Sequence, residues 1–220
     1  MKLIAHRGND SHSFKENTKE ALLWCLKQDY IDGVELDIRL TKDKKFIIYH
    51  NTSFLELGIK RRFIKNETLE TLKKINLGTI ENPSYLSSLD NFLKDVNSNK
   101  MILLDVKNEI GDSKEVVDAL RSVCITFSHL NIYLCSFCQN IVKLSTNMCK
   151  FPVGLLISDF INKNKDYSNV DFLSVSKGAF PDISSKKKKM VWTINKKSEL
   201  KSAYKDMYII TDKAYKLVSE

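Results

Sequence analysis

Short apolar runs recur along the chain at Leu3–His6, Val34–Ile38, Phe46–His50, Met101–Val106, Ile132–Ser136, Val153–Ile157, Asp171–Val175, Met190–Ile194 and Met207–Ile210. They are rich in Val, Ile, Leu and Tyr, residues that fit a pleated and buried surface, so each predicts a strand. The polar stretches between them carry helical spacing. In Glu16–Gln28 the apolar residues Ala21, Leu22, Cys25 and Leu26 fall at i, i+1, i+4 and i+5, which places them on one helix face. Asn17 or Thr18, with Glu20 close behind, supplies helix-start chemistry there. Leu86–Val96, Lys114–Cys124, Gln139–Met148 and Ser198–Lys205 predict further helices.

Strand alternating with helix predicts parallel strands joined by crossovers. The turn-like Lys42-Asp43-Lys44-Lys45 is too short for a helical crossover, so the runs on either side of it form one hairpin-like excursion or two neighbouring strands. Counted as one unit they leave eight βα-type repeats, the number that closes a (β/α)8 TIM-type barrel. The expected fold is therefore a compact α/β barrel occupying residues 1–220 as a single domain, with a short insertion after the second strand region at about 52–84. An open doubly wound sheet is the competitor. It wants a Gly-rich phosphate loop after the first strand, and His6-Arg7-Gly8 is no such loop.

Composition narrows the picture further. Hydrophobic residues make up 43% and charged residues 28%, enough for a core and too balanced for a disordered chain. The formal charge of +8 comes from 35 basic residues interspersed with 27 acidic ones, a positive field suited to anionic ligands. No aromatic-interleaved basic stripe accompanies it, so nucleic acid is not an expected partner. The run Lys186–Lys189 reads as solvated surface. Five cysteines (Cys25, Cys124, Cys135, Cys138 and Cys149) are an odd number, and the Cys135-x-x-Cys138 pair has no second pair with which to hold zinc. Cys135 lies in an apolar run and reads as a buried thiol, which fits a reducing compartment. No segment reaches the ~20 apolar residues of a membrane span. The start of the chain, Met1-Lys-Leu-Ile-Ala-His-Arg, is too short for a signal-peptide core, so a cytoplasmic location is expected.

The ionisable residues fall at informative places. His6 and Arg7 close the first strand, Glu35 and Asp37 lie in the second, His50 ends the Phe46–Tyr49 run, and Asp105 and Lys107 end the Met101–Leu104 run. In a barrel, the C-terminal strand ends converge on one mouth, so these side chains would meet. Residues i and i+2 share a strand face, so Glu35 and Asp37 point together while Leu36 points away, and Asp105 and Lys107 do the same around Val106. Several carboxylates in one mouth repel one another unless a cation or base compensates. Three of them suit a hard divalent ion, Mg²⁺ or Ca²⁺; the plainer alternative is a set of ion pairs on a barrel rim.

In order along the chain stand His6-Arg7-Gly8, Glu16-Asn17-Thr18, Val34-Glu-Leu-Asp37, Thr41-Lys-Asp43, His50, Leu103-Leu-Asp-Val-Lys107, Ser136-Phe137, Trp192-Thr193-Ile194-Asn195 and Thr211-Asp212. This ordered set resembles the signature of the glycerophosphodiester phosphodiesterase family over nearly the whole chain, although any one element alone would be weak. The resemblance implies a TIM-type barrel that hydrolyses small-molecule phosphodiesters with one divalent cation, Mg²⁺ or Ca²⁺. It implies His6 and His50 as a general acid/base pair, and imidazole titrates near neutrality as either role requires. It also implies Glu35, Asp37 and Asp105 as metal ligands, Arg7 and Lys107 as holders of the phosphate oxygens, and Trp192 as a pocket wall that could pack on the glycerol moiety.

Three departures from the family pattern are visible. Asp105 stands where Glu is usual, Asn51 follows His50 where Asp is usual, and Lys15 stands where Pro commonly precedes Glu16. His12 could also touch a ligand from its polar loop. Two rival functions follow. One is lysophospholipase D-like cleavage of a lipid diester, favoured if Phe54, Leu55, Leu57, Ile59 and Phe63 form exposed apolar loops beside the pocket. The other is a catalytically weak barrel that binds anionic ligands, for which Asp105 and Asn51 are the support.

Overall fold

The computed structural model describes residues 1–10, 13–60, 62–108, 113–148 and 150–219, so His12, Arg61 and Cys149 lie outside the described residues. Strand β1 (Lys2–His6) leads to helix α1 (Lys19–Leu26), then to β2 (Gly33–Leu40) and β3 (Phe46–Ile48). Two short helices follow, α2 (Leu69–Leu72) and α3 (Leu89–Asp95), before β4 (Met101–Val106), α4 (Ser113–Thr126), β5 (Ile132–Ser136) and α5 (Gln139–Thr146). The chain ends with β6 (Val153–Ile157), β7 (Phe172–Ser176), β8 (Lys188–Trp192), β9 (Tyr208–Thr211) and α6 (Ala214–Val218).

Eight of these strands close into a parallel barrel. β1 pairs with β2 on one side and β9 on the other, and the ring runs on through β4 to β8. β3 stands outside it, paired antiparallel with Ile38–Leu40 of β2. The hairpin-like excursion is therefore a real hairpin, and its second arm is not a barrel stave. Both faces of each stave are covered, which explains why the strands read as near-continuous apolar runs.

Alternation along the strands divides the core in two. Ile102, Leu104 and Val106 of β4 face the outer layer with Leu36, Leu22 and Leu120, whereas Met101 and Leu103 face the barrel interior with Ile4, Phe172 and Ile210. Thr18 caps α1 by accepting from Ala21 N, and Ser88 caps α3 by accepting from Asn91 N. The interior of the barrel leaves little room at Gly33, where an added Cβ would lie 2.5 Å from the Met101 carbonyl oxygen. Gly33→Ala should therefore destabilise by about 1–3 kcal/mol through forced displacement of β2 from β4, readable as a lower urea midpoint at unchanged m-value.

The helix expected over Ser198–Lys205 is instead a pair of 3-10 turns, Lys197–Glu199 and Ser202–Tyr204. The apolar pair Leu200 and Tyr204 has helical spacing, but Glu199 accepts from the backbone N–H of Asn195 (2.9 Å) and Lys196 (3.2 Å), and Leu200 is extended. Local hydrogen bonds win over so short a helix. Among the described residues no α-helix lies between β6 and β9, and the outer face there is covered by loops and 3-10 turns, with Phe180, Ile183, Leu200 and Tyr204 packed on the barrel.

The insertion has a small core of its own, in which Phe54, Ile64, Leu72, Ile75 and Leu77 pack with Ile47, Tyr49 and Leu86. Phe54 is fully buried, and Leu57 and Ile59 pack against the same cluster. Only Leu55 and Phe63 of the five candidate apolar loop residues are exposed. No helix of the described residues is long and apolar enough to cross a membrane.

Candidate active site

Strand register brings the acids to one height. Asp37 of β2 stands opposite Asp105 of β4, and His6 of β1 stands opposite Glu35. Parity then turns Glu35, Asp37 and Asp105 into the barrel mouth, where one oxygen from each lies within 4.8 Å of the others. All three are buried. His50 lies two residues beyond β3 and Lys107 one beyond β4, both bordering the same cavity of about 260 Å³.

The turn after β1 is tight. Arg7 and Gly8 have φ of +54° and +66°, and a Cβ at Gly8 would meet the α1 backbone at 3.0 Å. That turn aims the Arg7 backbone N–H at Glu35 Oε2 (3.1 Å) and lays its guanidinium beside Glu16 and Asp37, both at 3.1 Å. The contact with Asp37 is an ion pair without hydrogen-bond alignment. Asn17, also left-handed at φ +56°, is not the helix cap. Its side-chain amide donates to Asp37 Oδ2 (2.8 Å) and its carbonyl accepts from the Asp37 backbone N–H (3.2 Å).

Lys107 Nζ bridges Asp37 (2.8 Å) and Asp105 (2.5 Å). The acids consequently differ. Burial raises Asp37, but Lys107 and Arg7 outweigh it and bring its carboxyl down to about 2. Burial and the neighbouring Asp37 push Glu35 up to about 8, and burial pushes Asp105 to about 6 despite Lys107. With all three carboxylates ionised, Arg7 and Lys107 leave one negative charge without a partner, and the raised Glu35 reflects the cost of that charge. Asp105 Oδ1 is buried with no hydrogen bond. An all-oxygen donor set, an orphaned carboxylate oxygen and a deficit of positive charge together fit a hard divalent cation. The same acids also form ion pairs, so the two readings of the cluster coexist: Arg7 and Lys107 bind the flanks of the acids and leave the remaining charge uncompensated.

The two imidazoles differ in their partners. His6 Nδ1 lies 2.7 Å from Asp212 Oδ1, and its Nε2 is 3.8 Å from Glu35. Burial lowers the His6 pKa, yet Glu35 and Asp212 outweigh it and the net shift is upward. Asp212 is itself held by the Asn195 side-chain amide (2.8 Å) and returns its backbone N–H to Asn195 Oδ1 (2.9 Å). His50 Nδ1 meets a neutral group, Asn51 Oδ1, at 2.7 Å, and burial takes its pKa below the ordinary imidazole value. Arg39 fixes the backbone there by donating to the His50 carbonyl at 2.9 and 2.7 Å.

Trp192 forms a wall of the cavity and packs edge-on against Phe137, with ring centroids 6.1 Å apart. It is half-buried, and its indole N–H has no partner among the described residues, leaving a donor beside the cavity. Cys135 is buried in β5, where burial pushes its thiol well up, and Cys138 stands at the start of α5; both are free. A larger groove of about 610 Å³ lies elsewhere, between the β2–β3 turn and α4. Four of its charges form two ion pairs, Lys44 with Glu115 and Lys114 with Asp118.

All eight candidate residues border one cavity, seven expected there from their strand-end positions and Trp192 from the family resemblance, whereas their supports were not expected. Asn17 carried a helix-start signal that concealed its bond to Asp37. Asp212 and Asn195 were visible only as motif letters, and the contact from Asn51 to Glu56 had no signal in the sequence.

The family model for the glycerophosphoryl diester phosphodiesterase family matches residues 6–213. A Bacillus subtilis relative is 28% identical over 137 residues, which is 59% of this chain and 56% of that protein, so the chain spans little more than half the length of that curated relative. An uncharacterised protein of Mycoplasma genitalium is 30% identical over 165 residues, 71% of this chain and 69% of that one. Among solved structures, an Oleispira antarctica phosphodiesterase in complex with the product sn-glycerol-3-phosphate superposes with a TM-score of 0.82 at 19% identity, covering 100% of this chain and 96% of that one.

Proposed function

Because the chain belongs to the glycerophosphoryl diester phosphodiesterase family, we propose that it hydrolyses glycerophosphodiesters to glycerol phosphate and an alcohol, using a divalent cation and two histidines. The observation that carries this reading is the convergence of three buried carboxylates, two imidazoles and two fixed cations on one cavity. Glu35, Asp37 and Asp105 are the residues that would hold the cation, Mg²⁺ or Ca²⁺. When bound, it supplies neutralisation of the phosphate charge and Lewis-acid stabilisation of the transition state.

The chain's own groups divide the remaining work. Arg7 presents a planar fork and Lys107 a point charge to the non-bridging oxygens. His50, against a neutral amide, is suited to take the proton from the nucleophile, either water or the substrate's own hydroxyl. His6, held by a carboxylate that stabilises imidazolium, is suited to give a proton to the departing alkoxide. Trp192 and Phe137 wall the cavity on the side where a glycerol moiety would pack. Asp212→Asn keeps the shape and removes the charge behind His6, so kcat should fall ~10–100-fold with KM little changed in steady-state kinetics.

The insertion favours a small alcohol over an acyl chain, since three of its five apolar candidates are committed to its own core. The test is product analysis after incubation with glycerophosphocholine and glycerophosphoethanolamine in the presence of Mg²⁺ or Ca²⁺. Glycerol 3-phosphate plus free alcohol is the expected outcome. Glycerol plus phosphoalcohol, or no product from either diester, would overturn the reading.

A further inference from the structure

Asn51 makes two contacts of opposite polarity. Its Oδ1 faces His50 Nδ1 at 2.7 Å, and its Nδ2 donates to Glu56 Oε2. Glu56 lies in the 3-10 turn Leu55–Leu57, and its other oxygen accepts from the Tyr49 hydroxyl at 2.5 Å. The Tyr49 ring stacks on the buried Phe54 with centroids 5.0 Å apart, which ties this carboxylate to the core of the insertion.

A side-chain amide has a donor end and an acceptor end of nearly the same shape, and an imidazole nitrogen can meet either. If the oxygen faces Nδ1, the ring carries its proton on Nδ1 and keeps a lone pair on Nε2. If the amide turns over, its N–H₂ donates to Nδ1 and the proton of the neutral ring moves to Nε2, which can then accept nothing. An ionised carboxylate only accepts. Glu56 therefore holds the amide donor on its own side and leaves the oxygen for His50.

We propose that Glu56 is a positioning residue for His50, acting through Asn51 to fix the ring tautomer that leaves Nε2 free to take a proton. The inference rests on the reading of His50 as the proton acceptor. Other charged groups around the ring, Asp37, Lys107 and Arg7, shift its affinity for a proton without bonding to Nδ1. Through this contact the insertion sets the state of one imidazole.

Substitution at 56 tests this by polarity. Glu56→Gln offers either end to Asn51 and releases the constraint, whereas Glu56→Lys offers donors only and reverses it. Combining Asn51→Asp with Glu56→Lys restores an acceptor to His50 with the charges exchanged. The direct readout is the imidazole ¹⁵N spectrum of the full chain labelled at histidine, above the titration of His50, with His50 assigned by its loss in His50→Ala.

Wild-type protein should show a protonated Nδ1 and a bare Nε2, Glu56→Gln a mixture, and Glu56→Lys the reverse. The double variant should return to the wild-type pattern. In parallel, kcat should fall ~10-fold or more in Glu56→Lys, with KM little changed, and recover to within ~3-fold in the double variant. A turn merely loosened by substitution would not be rescued by a second change. An unaltered tautomer in Glu56→Lys, or a double variant no better than the single one, would overturn the proposal. Absence of turnover in wild-type protein would instead count against the proposed function, while the spectrum would still decide the tautomer.

Discussion

His6→Ala and His50→Ala should each lower kcat on a glycerophosphodiester by ~10²–10⁴-fold, the range general acid–base groups supply, with the fold intact. Neither ring belongs to the apolar clusters that hold the barrel together. Each is instead anchored by one side-chain hydrogen bond, His6 to Asp212 and His50 to Asn51, with Glu35 a longer ionic neighbour of His6. Their removal therefore takes away proton transfer and little packing. The double variant should be scarcely slower than the worse single one, because the two groups act on one event. Unchanged melting temperatures would confirm that the loss is chemical. A kcat within threefold of wild type for either variant would remove that ring from the mechanism.

Glu35→Gln should separate stability from function. In the metal-free protein the Glu35 carboxyl titrates near 8, driven by burial and Asp37. The native state thus binds that proton more tightly than the unfolded chain does, and stability falls as pH rises from the ordinary carboxylate value towards 8. Asp105, at about 6, adds a fall of the same sign over a narrower window. Asp37 works the other way, but only in acid, where its own pKa of about 2 leaves it ionised above roughly pH 4. Glu35→Gln removes the largest of these terms.

Scanning calorimetry in EDTA should therefore show wild-type melting temperature dropping between pH 5 and pH 8. The variant should drop less and be the more stable of the two at pH 8. It should also lack the rise in melting temperature expected of wild-type protein with added Mg²⁺ or Ca²⁺, and lose turnover with it. This is the pattern of an acid kept for function at a cost in stability. A flat wild-type profile in EDTA would show that Glu35 is not held at a disadvantage.

The barrel was legible because its staves are apolar on both faces and begin and end within a residue or two of the runs that mark them. Glu35 could be placed with Asp37, and Asp105 with Lys107, from parity, and their strand-end positions in a barrel brought them to one mouth with His6. Crossovers were harder to read. Leu200 and Tyr204 have helical spacing, yet Glu199 draws the backbone into 3-10 turns. Contacts made by loops were not legible at all. Asn17 reaches Asp37 from a left-handed turn, Asp212 reaches His6 across 206 positions, and Glu56 reaches Asn51 from an insertion whose short elements follow no period. Periodicity reports what packs, and these polar contacts depend on how loops close.

The three departures acquire different meanings in the structure. Asp105 is paired with Lys107 and keeps one oxygen free at the mouth, so the shorter side chain still faces the other acids. Asn51 is coupled to a carboxylate, which places a negative charge one residue further from His50 than an Asp would. Lys15 lies before the α1 cap, where Thr18 bonds back to its carbonyl at 2.6 Å. None of the three removes a group from the cavity.

Diester hydrolysis by this chain is expected to depend on a cation held by Glu35, Asp37 and Asp105. The most direct measurement is the rate of glycerol 3-phosphate release by protein stripped with EDTA, followed as Mg²⁺ or Ca²⁺ is added back. The rate should sit at background without cation and rise saturably with one of the two ions, with no such rise in Glu35→Gln. Equal rates in EDTA and in excess cation would contradict it.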